Sequence, residues 1–582
     1  MANINPATRI LVKAQGGQRS ANFALNGGAV KFKIEPLFPS IGQRVNQAET
    51  SVSEWQIWTP LFLTSHINVW DLCHQVVNQN TGTGGTPRVE FAEPDYQQRW
   101  IFGEDKALAA TTSACGAQYA EDPGFPVDAD PLWFKNASHA QFDDALSRIT
   151  SPDVVRVAHL DTGYDPNHAT LPLHIRKDLE RNFVDAGRPH DARDDSQGPL
   201  NSLGHGTGTL GILAGQSVPG GLAIGCSPFV EVAPMRVADR VVLFLNSAIA
   251  IALDYVHSLY ADPTTRIHVV TMSMGGLACK AWADAVNALY EAGVFVVTAA
   301  GNNFDNLPTR EVVFPARFNR VVAACGVMAD GKAYADMGVG KMAGNYGPRE
   351  KMSTAIAAWT PNIPWARLGC PDIVDLNGAG TSCATPQIAA AAAMWIQQNK
   401  AAWEAYPEGW MRVEAVRKAL FDSAVQAPDG SSTMDQVHLG NGVLHARAAL
   451  SQPPADASAL ARQPEDAIFF PLVDRPLAAA PPAHIEMFAL EALQLTQSPA
   501  AASAQPTRSG RAAQTIPAAR PRSGPPTTAN RLRAALLAHP NASQALREAL
   551  RVSAPSPVVA STTPVKRSGK NSGKKHARKS SY

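Results

Sequence analysis

Through the middle of the chain, short apolar runs alternate with longer stretches whose apolar residues recur at helical spacing. DVVRVAHLD, IHVVTMSMGG, VFVVTAAGN and NRVVAACGV read as buried strands, and SAIAIALDYVHSLY and AWADAVNALYEAG as helices between them. Such alternation predicts an α/β domain, a mainly parallel sheet with helices on both faces, because parallel neighbours need crossovers that cover the sheet. Before it, from about Ile10 to Pro94, AVKFKIEPLF and RVEFAEP surround a helical INVWDLCHQVVNQ with Ile67, Trp70, Cys73 and Val77 on one side, a small α+β pattern. After SQPPADAS the composition shifts to Ala, Pro and Ser with short helix-prone pieces (IEMFALEALQL, RLRAALLA, NASQALREALR) and a basic end. The expected layout is an N-terminal α+β domain over residues 1–98, a connecting region over 99–149, the main domain over 150–452, and a largely disordered extension over 453–582.

Composition narrows the setting. With 582 residues, 45% apolar residues and a formal charge of +1, the chain can bury a large core and shows no overall attraction to nucleic acid. The basic stretch from Lys566 to Lys579 reads as a solvated extension. No uninterrupted apolar run is long enough to span a bilayer, and the opening MANINPATRILVKAQGGQRS lacks the apolar core of an export signal. Seven scattered cysteines without CxxC spacing argue against a disulfide framework and against a zinc site. The expectation is a protein that does not enter membranes and works in a reducing cytoplasm.

Candidate chemistry sits at the ends of the apolar runs, where sites form in parallel sheets. VVRVAHLDTG ends in Asp161, NSLGHGTGTLGILAG places His205 between glycines at the start of a helix, and VFVVTAAGNN ends in Asn302. LNGAGTSCATPQIAAAAAMW sets Ser382 among small residues just before an alanine-rich run. Gln387 to Gln398 reads there as a buried helix with Pro386 in its first turn. Singly, each is a turn or cap residue; together they supply a nucleophile, a base, a carboxylate to orient the base, and an amide to meet an oxyanion.

These residues carry a resemblance. DTG at Asp161, GHGTG at His205, AAGN before Asn302 and GTSCATP at Ser382, in that order and with VAPMRV, TMSMGG, VVFPARFNRVVAACGV and GNGVLHARAAL at consistent places, resemble the subtilisin-like serine proteases from about Val154 to Leu450. The resemblance implies a serine endopeptidase in which Ser382 attacks, His205 moves the proton, Asp161 orients His205, and Asn302 with the Ser382 N–H holds the oxyanion. It implies that Ser273, Met274, Gly275 and Gly276 form a substrate-binding strand, the two glycines pairing with extended polypeptide. The segment ending VEFAEPDYQQ resembles the family's inhibitory prodomains, implying restraint of the protease by its own N-terminal domain and cleavage between Tyr96 and Ser151; the other expectation for this region is a separate accessory domain. The rival expectation is a silent scaffold that keeps the peptide groove without turnover.

Three departures stand out. Gly208 occupies a place where the family usually has a second histidine. Val313 stands where the pocket for the residue before the scissile bond often has glycine, so small or medium residues are expected there. Cys383 replaces a methionine and reads as a small buried hydrophobe. The acidic cluster Asp185, Asp191, Asp194 and Asp195 lies where relatives bind calcium; Arg188 and Arg193 beside it fit a self-paired loop equally well, so the metal is left unassigned and no cofactor is expected.

Overall fold

A computed structural model describes residues 5–15, 20–25, 28–41, 53–61, 67–79, 88–99, 115, 130–195, 204–240, 243–304, 306, 309–338, 340–426, 437–470, 482–497 and 528–552. Most of the connecting region and the basic stretch 566–579 lie outside them. At the N-terminus, β1 (Asn5–Gln15), β2 (Ser20–Leu25), β3 (Gly28–Pro36) and β4 (Ser53–Pro60) precede α1 (Val69–Asn78) and β5 (Val89–Arg99). The strands form an antiparallel sheet ordered β2-β3-β4-β1-β5. α1 begins where the Asn68 side chain accepts the N–H groups of Trp70 and Asp71. Successive β1 residues Ile10, Leu11 and Val12 are all fully buried, so both faces of this sheet are covered.

The short helix α2 (Phe142–Arg148) leads into β6 (Arg156–Asp161), β7 (Arg181–Asn182), α3 (His205–Ala214), β8 (Glu231–Arg236), β9 (Leu243–Leu245), α4 (Asn246–Ser258), β10 (Val269–Met272), α5 (Lys280–Ala292), β11 (Phe295–Ala299) and β12 (Asn302–Phe304). Then follow β13 (Val322–Val327), β14 (Met342–Gly344), β15 (Ala355–Trp359), β16 (Ile363–Ala366), β17 (Val374–Gly378), α6 (Thr381–Glu404), α7 (Gly409–Asp422) and α8 (Ala446–Leu450). The seven-stranded sheet runs β15-β13-β11-β10-β6-β8-β7, every pair parallel, as the apolar runs require. The chain leaves β6 toward β8 on one side and returns to β10 on the other, so Asp161, at the end of β6, borders the switch point where such sheets open a crevice.

α6 packs against β10, β11, β13 and β15 and is sheathed by α3 and α7. Its alanines, Ala389 to Ala393, are all buried, and their small side chains let the helix lie close to the sheet. The helix starts at Thr381, six residues earlier than the alanine run suggests, so Pro386 falls in the second turn rather than the first. The alanine pattern marks only where the helix is packed; its start is set by contacts with distant residues described below.

The two sheets share no strand, but the main domain lends β9 to the N-terminal one. β5 pairs antiparallel with β9, Gln97 opposite Leu245 and Gln98 opposite Phe244, so the N-terminal sheet gains a strand from the main domain. The helices α4 and α5 that follow β9 and β10 share a hydrophobic core with the N-terminal sheet.

Beyond residue 452, the three helix-prone pieces read from the sequence are helices, α9 (Pro482–Gln497), α10 (Thr528–Ala538) and α11 (Gln544–Val552). Leu495, Leu536, Leu546 and Leu550 join them in a small core. Among the described residues no helix is long and apolar enough to cross a membrane. One expectation is corrected: Cys115 of the connecting region is disulfide-bonded to Cys370, 255 residues away in sequence. A single bridge of that span has no spacing signature, because tertiary structure alone brings its ends together. The other five cysteine side chains observed, Cys73, Cys226, Cys279, Cys325 and Cys383, are free and buried; burial pushes the Cys383 thiol up, as fits the hydrophobic role expected of it.

Candidate active site

Asp161 and His205 meet because β6 ends where α3 begins. Gly204, at a left-handed φ of 77°, turns the chain so that His205 opens the helix, and the His205 Nδ1–H donates to Asp161 Oδ1 at 2.7 Å. Asp161 Oδ1 also accepts the Thr162 N–H at 2.8 Å, and Oδ2 accepts the Thr209 hydroxyl at 3.1 Å. Burial raises the Asp161 carboxyl, but the charge and hydrogen bond of His205 outweigh it and hold the group below the usual carboxylate range. Beneath the pair, His159 lies 2.8 Å from the Thr209 hydroxyl, and burial pulls its pKa down to about 4, so it is neutral at pH 7.

Ser382 lies in the first turn of α6, where backbone N–H groups have no intrahelical acceptor and the helix dipole is positive. Pro386 has no N–H to give to the carbonyl four residues back, which is that of Ser382. Ser273 replaces the missing donor: its Oγ donates to Ser382 O at 3.0 Å, while the Ser382 Oγ donates to Ser273 O at 3.2 Å. The amide of Asn302 is fixed by the same helix start, its Oδ1 accepting the Thr381 N–H at 2.9 Å, and the Thr381 hydroxyl donates to Gly301 O at 3.1 Å. The Asn302 Nδ2 lies over Gly380, where an added Cβ would stand 2.8 Å from it, so Gly380 has no room for a side chain. Gly380 also adopts φ 84°, open to glycine.

The predicted binding strand is only partly placed as expected. The N–H of Gly276 donates to Phe314 O at 2.7 Å and its carbonyl accepts the Phe314 N–H at 3.0 Å. Gly276 is therefore engaged within the protein, and the expectation that both glycines pair with substrate is corrected: Gly275 alone keeps its N–H and carbonyl outside that pairing. Ser273 and Met274 are buried, with the Ser273 carbonyl accepting the Ser382 hydroxyl. Val313 is buried and wedged between two glycines; its methyls would lie 2.6 Å from a Cβ at Gly275 and 3.0 Å from one at Gly301.

Residues 153–442 match the model of the subtilase family. The chain belongs to that family. Among relatives, a subtilisin-like protease of Coccidioides posadasii is 27% identical over 256 residues, covering 43% of this chain and 55% of the relative. The cell wall-associated protease of Bacillus subtilis is 29% identical over 313 residues, 53% of this chain and 30% of the relative, and the thermitase of Thermoactinomyces vulgaris 26% identical over 248 residues, 42% of this chain and 76% of the relative. The match thus spans about half or less of the length of the first two relatives.

In this subtilase the missing second histidine has a structural counterpart that the sequence did not disclose. The indole of Trp365, on β16, lies against Gly208, and a Cβ there would come within 2.0–2.5 Å of three of its ring carbons. The same indole meets the His205 ring edge-on, centroids 5.4 Å apart. Asp194 was also missed as a site residue. Its Oδ2 accepts the Thr162 hydroxyl at 2.7 Å and the Gly204 N–H at 3.1 Å, and Thr162 Oγ1 in turn accepts the Gly206 N–H, so the Asp161 turn and the His205 turn are tied together. A signal existed: Asp194 lies in the acidic cluster beside an arginine-rich loop. The rest of that cluster is self-paired, Asp185 with Arg188, Asp191 with Arg193, and Asp195 with Arg188 and Arg236.

Two outcomes follow. Gly208→Ala should displace the indole from His205, slowing reaction of Ser382 with a fluorophosphonate probe by roughly 10–100-fold, as expected when a catalytic group shifts by about an ångström; Trp365→Gly in the same chain should restore part of the rate. Val313→Gly should open the space between Gly275 and Gly301 and move the preference in a peptide-library cleavage profile from small or medium toward large aromatic residues, a discrimination of about 1–3 kcal/mol.

Proposed function

We propose that this subtilase is a serine endopeptidase that cleaves polypeptide substrates through Asp161, His205 and Ser382. Ser382 would attack the peptide carbonyl while His205 takes its proton and returns it to the leaving amine, Asp161 stabilising the imidazolium. The acyl-enzyme would then be hydrolysed by water activated at the same histidine. The Asn302 NH2 and the Ser382 N–H would hold the oxyanion. The observation that carries this reading is the buried 2.7 Å bond from His205 to Asp161, with Thr209 and Thr162 filling the remaining acceptor positions of the carboxylate. A silent scaffold has no use for a histidine so held. The chain supplies acid, base and nucleophile, so the proposed chemistry calls for no cofactor.

The N-terminal domain would restrain this activity. The residues just before α4 and α5, Leu245 and Cys279, supply no capping side chain. Their caps come from β5: the Asp95 carboxylate accepts the Ser247 N–H at 2.9 Å, and Glu93 accepts the N–H groups of Lys280 and Ala281 at 3.0 and 2.8 Å. In return Asp254 on α4 accepts the N–H groups of Ser40 and Ile41. Farther along β5, Gln98 reaches the binding strand, its Oε1 accepting the Leu277 N–H at 2.7 Å. A strand ending there lies beside the segment proposed to bind substrate, which supports inhibition by occupancy. The cytoplasmic setting remains part of the proposal and meets its test at Cys115 and Cys370, since a reducing compartment keeps such pairs as thiols.

Labelling decides the central claim: a fluorophosphonate should modify Ser382 in chain whose N-terminal domain has been removed after folding, and should not modify Ser382→Ala. Asn302→Ala should retain the fold but lower peptide turnover by roughly two to three powers of ten, the loss known for such a donor in subtilisin. A few-fold loss would make Asn302 a turn residue only.

Docking should depend on pH. Burial pushes the Glu93 carboxyl up to about 8 and that of Asp254 up to about 6, the backbone N–H bonds pulling the other way without prevailing. Both become solvated when the domain leaves and return toward ordinary carboxylate values, so the docked form binds more protons between roughly pH 4.5 and 8. Docking therefore strengthens as pH falls through 8 and weakens as it rises. With Ser382→Ala chain cut at a site inserted in the connecting region ahead of Cys115, so that the Cys115–Cys370 bridge stays with the main domain, release of the N-terminal fragment should be several-fold faster at pH 9 than at pH 6.5, and Glu93→Gln should flatten much of that difference.

A further inference from the structure

The C-terminal helices do not stand apart from the N-terminal domain. Residues 453–470 run along the main domain, where the Asp466 carboxylate accepts the N–H groups of Asn319 and Arg320 and the Asp466 N–H donates to Asn287 Oδ1. From that anchor α9 reaches the N-terminal domain. The His74 Nε2 on α1 lies 2.9 Å from Glu491, the His74 ring stacks on Phe488 at 4.8 Å, and the Trp70 indole N–H donates to Gln494 Oε1 at 3.2 Å. Gln494 spans both partners, its Nε2 donating to Ala278 O of the main domain at 2.8 Å, and Glu486 pairs with Lys280 at the start of α5. The turn before α11 closes the arrangement. Ser543 donates its N–H and hydroxyl to Glu491, and the Gln544 N–H donates to Asp71 of α1.

These are not surface contacts. Glu491 and Ser543 are 0% exposed, Trp70 and Gln494 1%, and His74 5%. Polar groups buried to that degree are costly without partners, and here Trp70, His74, Glu491 and Gln494 find theirs across the junction. α1 would present Trp70 and His74 to water if the N-terminal domain had evolved only to sit on α4 and α5. Instead its outer helix is matched to α9, and Met487, Leu490 and Leu493 belong to the same core as Trp70, Phe91 and Trp282.

We propose that α9, α10 and α11, residues 482–497 and 528–552, form a clasp that retains the N-terminal domain on the subtilase, so that the inhibitory unit is built from segments on both sides of the main domain. The regulatory consequence rests on the reading that the N-terminal domain blocks the groove. Cutting the connecting region would leave the domain held by two linked surfaces, and a fragment held by both leaves far more slowly than one held by either. Release then needs a second event, cleavage or displacement of the clasp.

The test keeps the folded full chain and cuts it afterwards. One site for a sequence-specific protease is inserted between Asp105 and Thr111, ahead of Cys115 so that the Cys115–Cys370 bridge does not tether the N-terminal fragment, and a second, in a separate variant, between Pro471 and Ala480; both are combined in a third. In Ser382→Ala background, the N-terminal fragment should co-elute with the main domain after the first cut alone and leave about 100-fold faster when both are cut. In the active chain, hydrolysis of a short peptide should rise little after the first cut and at least tenfold after both. Prompt loss of the fragment on the connector cut alone, or equal retention with the clasp cut, overturns the clasp. Clasp-dependent retention with peptide hydrolysis unchanged throughout leaves the clasp standing and overturns inhibition by the N-terminal domain. Trp70→Ala with Gln494→Ala in the singly cut chain should speed release as the second cut does; retention unaltered by that pair counts against the clasp as drawn.

Discussion

A helix buried on every side must dispose of its first backbone N–H groups, and the disposition at α6 organises the site. The Thr381 N–H goes to Asn302, Ser273 donates to the carbonyl that Pro386 deprives of its usual donor, and the Ser382 N–H remains at the positive end of the helix. Satisfying the helix start thereby fixes a serine hydroxyl, a backbone N–H and a side-chain amide relative to one another. The alanine surface that lets α6 run against the sheet is the condition for this, since a bulkier helix would stand farther from β10 and β11 and could not reach Ser273 or Gly301.

The acid–base pair is held by a second, independent network. A buried carboxylate is tolerable only when its lone pairs are occupied, and Thr162, Thr209 and His205 occupy those of Asp161. Asp194 ties the Asp161 turn to the His205 turn from the outside, and Trp365 packs the imidazole from the third side. The loss of a side chain at Gly208 is thus a packing exchange, with an indole from β16 filling space that a residue on α3 leaves empty.

The same logic of borrowed partners extends between domains. α4 and α5 lack caps of their own and take them from Glu93 and Asp95, two residues apart on β5 and therefore on one face of that strand. α1 of the N-terminal domain gives its outer face to α9, and α9 reaches back to Ala278 and Lys280. Each junction places a buried charge or amide where only the assembled chain can satisfy it. Three segments distant in sequence are consequently interdependent.

Periodicity determined the parallel sheet and its helices, because the mainly apolar runs of β6, β10, β11 and β13 are buried on both faces and helices α4 and α5 carry their apolar residues at helical spacing. Motif order pointed to Asp161, His205, Asn302 and Ser382, since residues that end strands or open helices have their direction set locally. What periodicity could not reach were partners defined by neighbours far along the chain: Trp365 over Gly208, Phe314 across Gly276, Cys370 bonded to Cys115, and the start of α6 at Thr381 rather than in the alanine run. Local pattern says whether a residue will be buried. Only the tertiary structure decides against what, because the partner of a buried polar group or an empty glycine is chosen by the path of the whole chain.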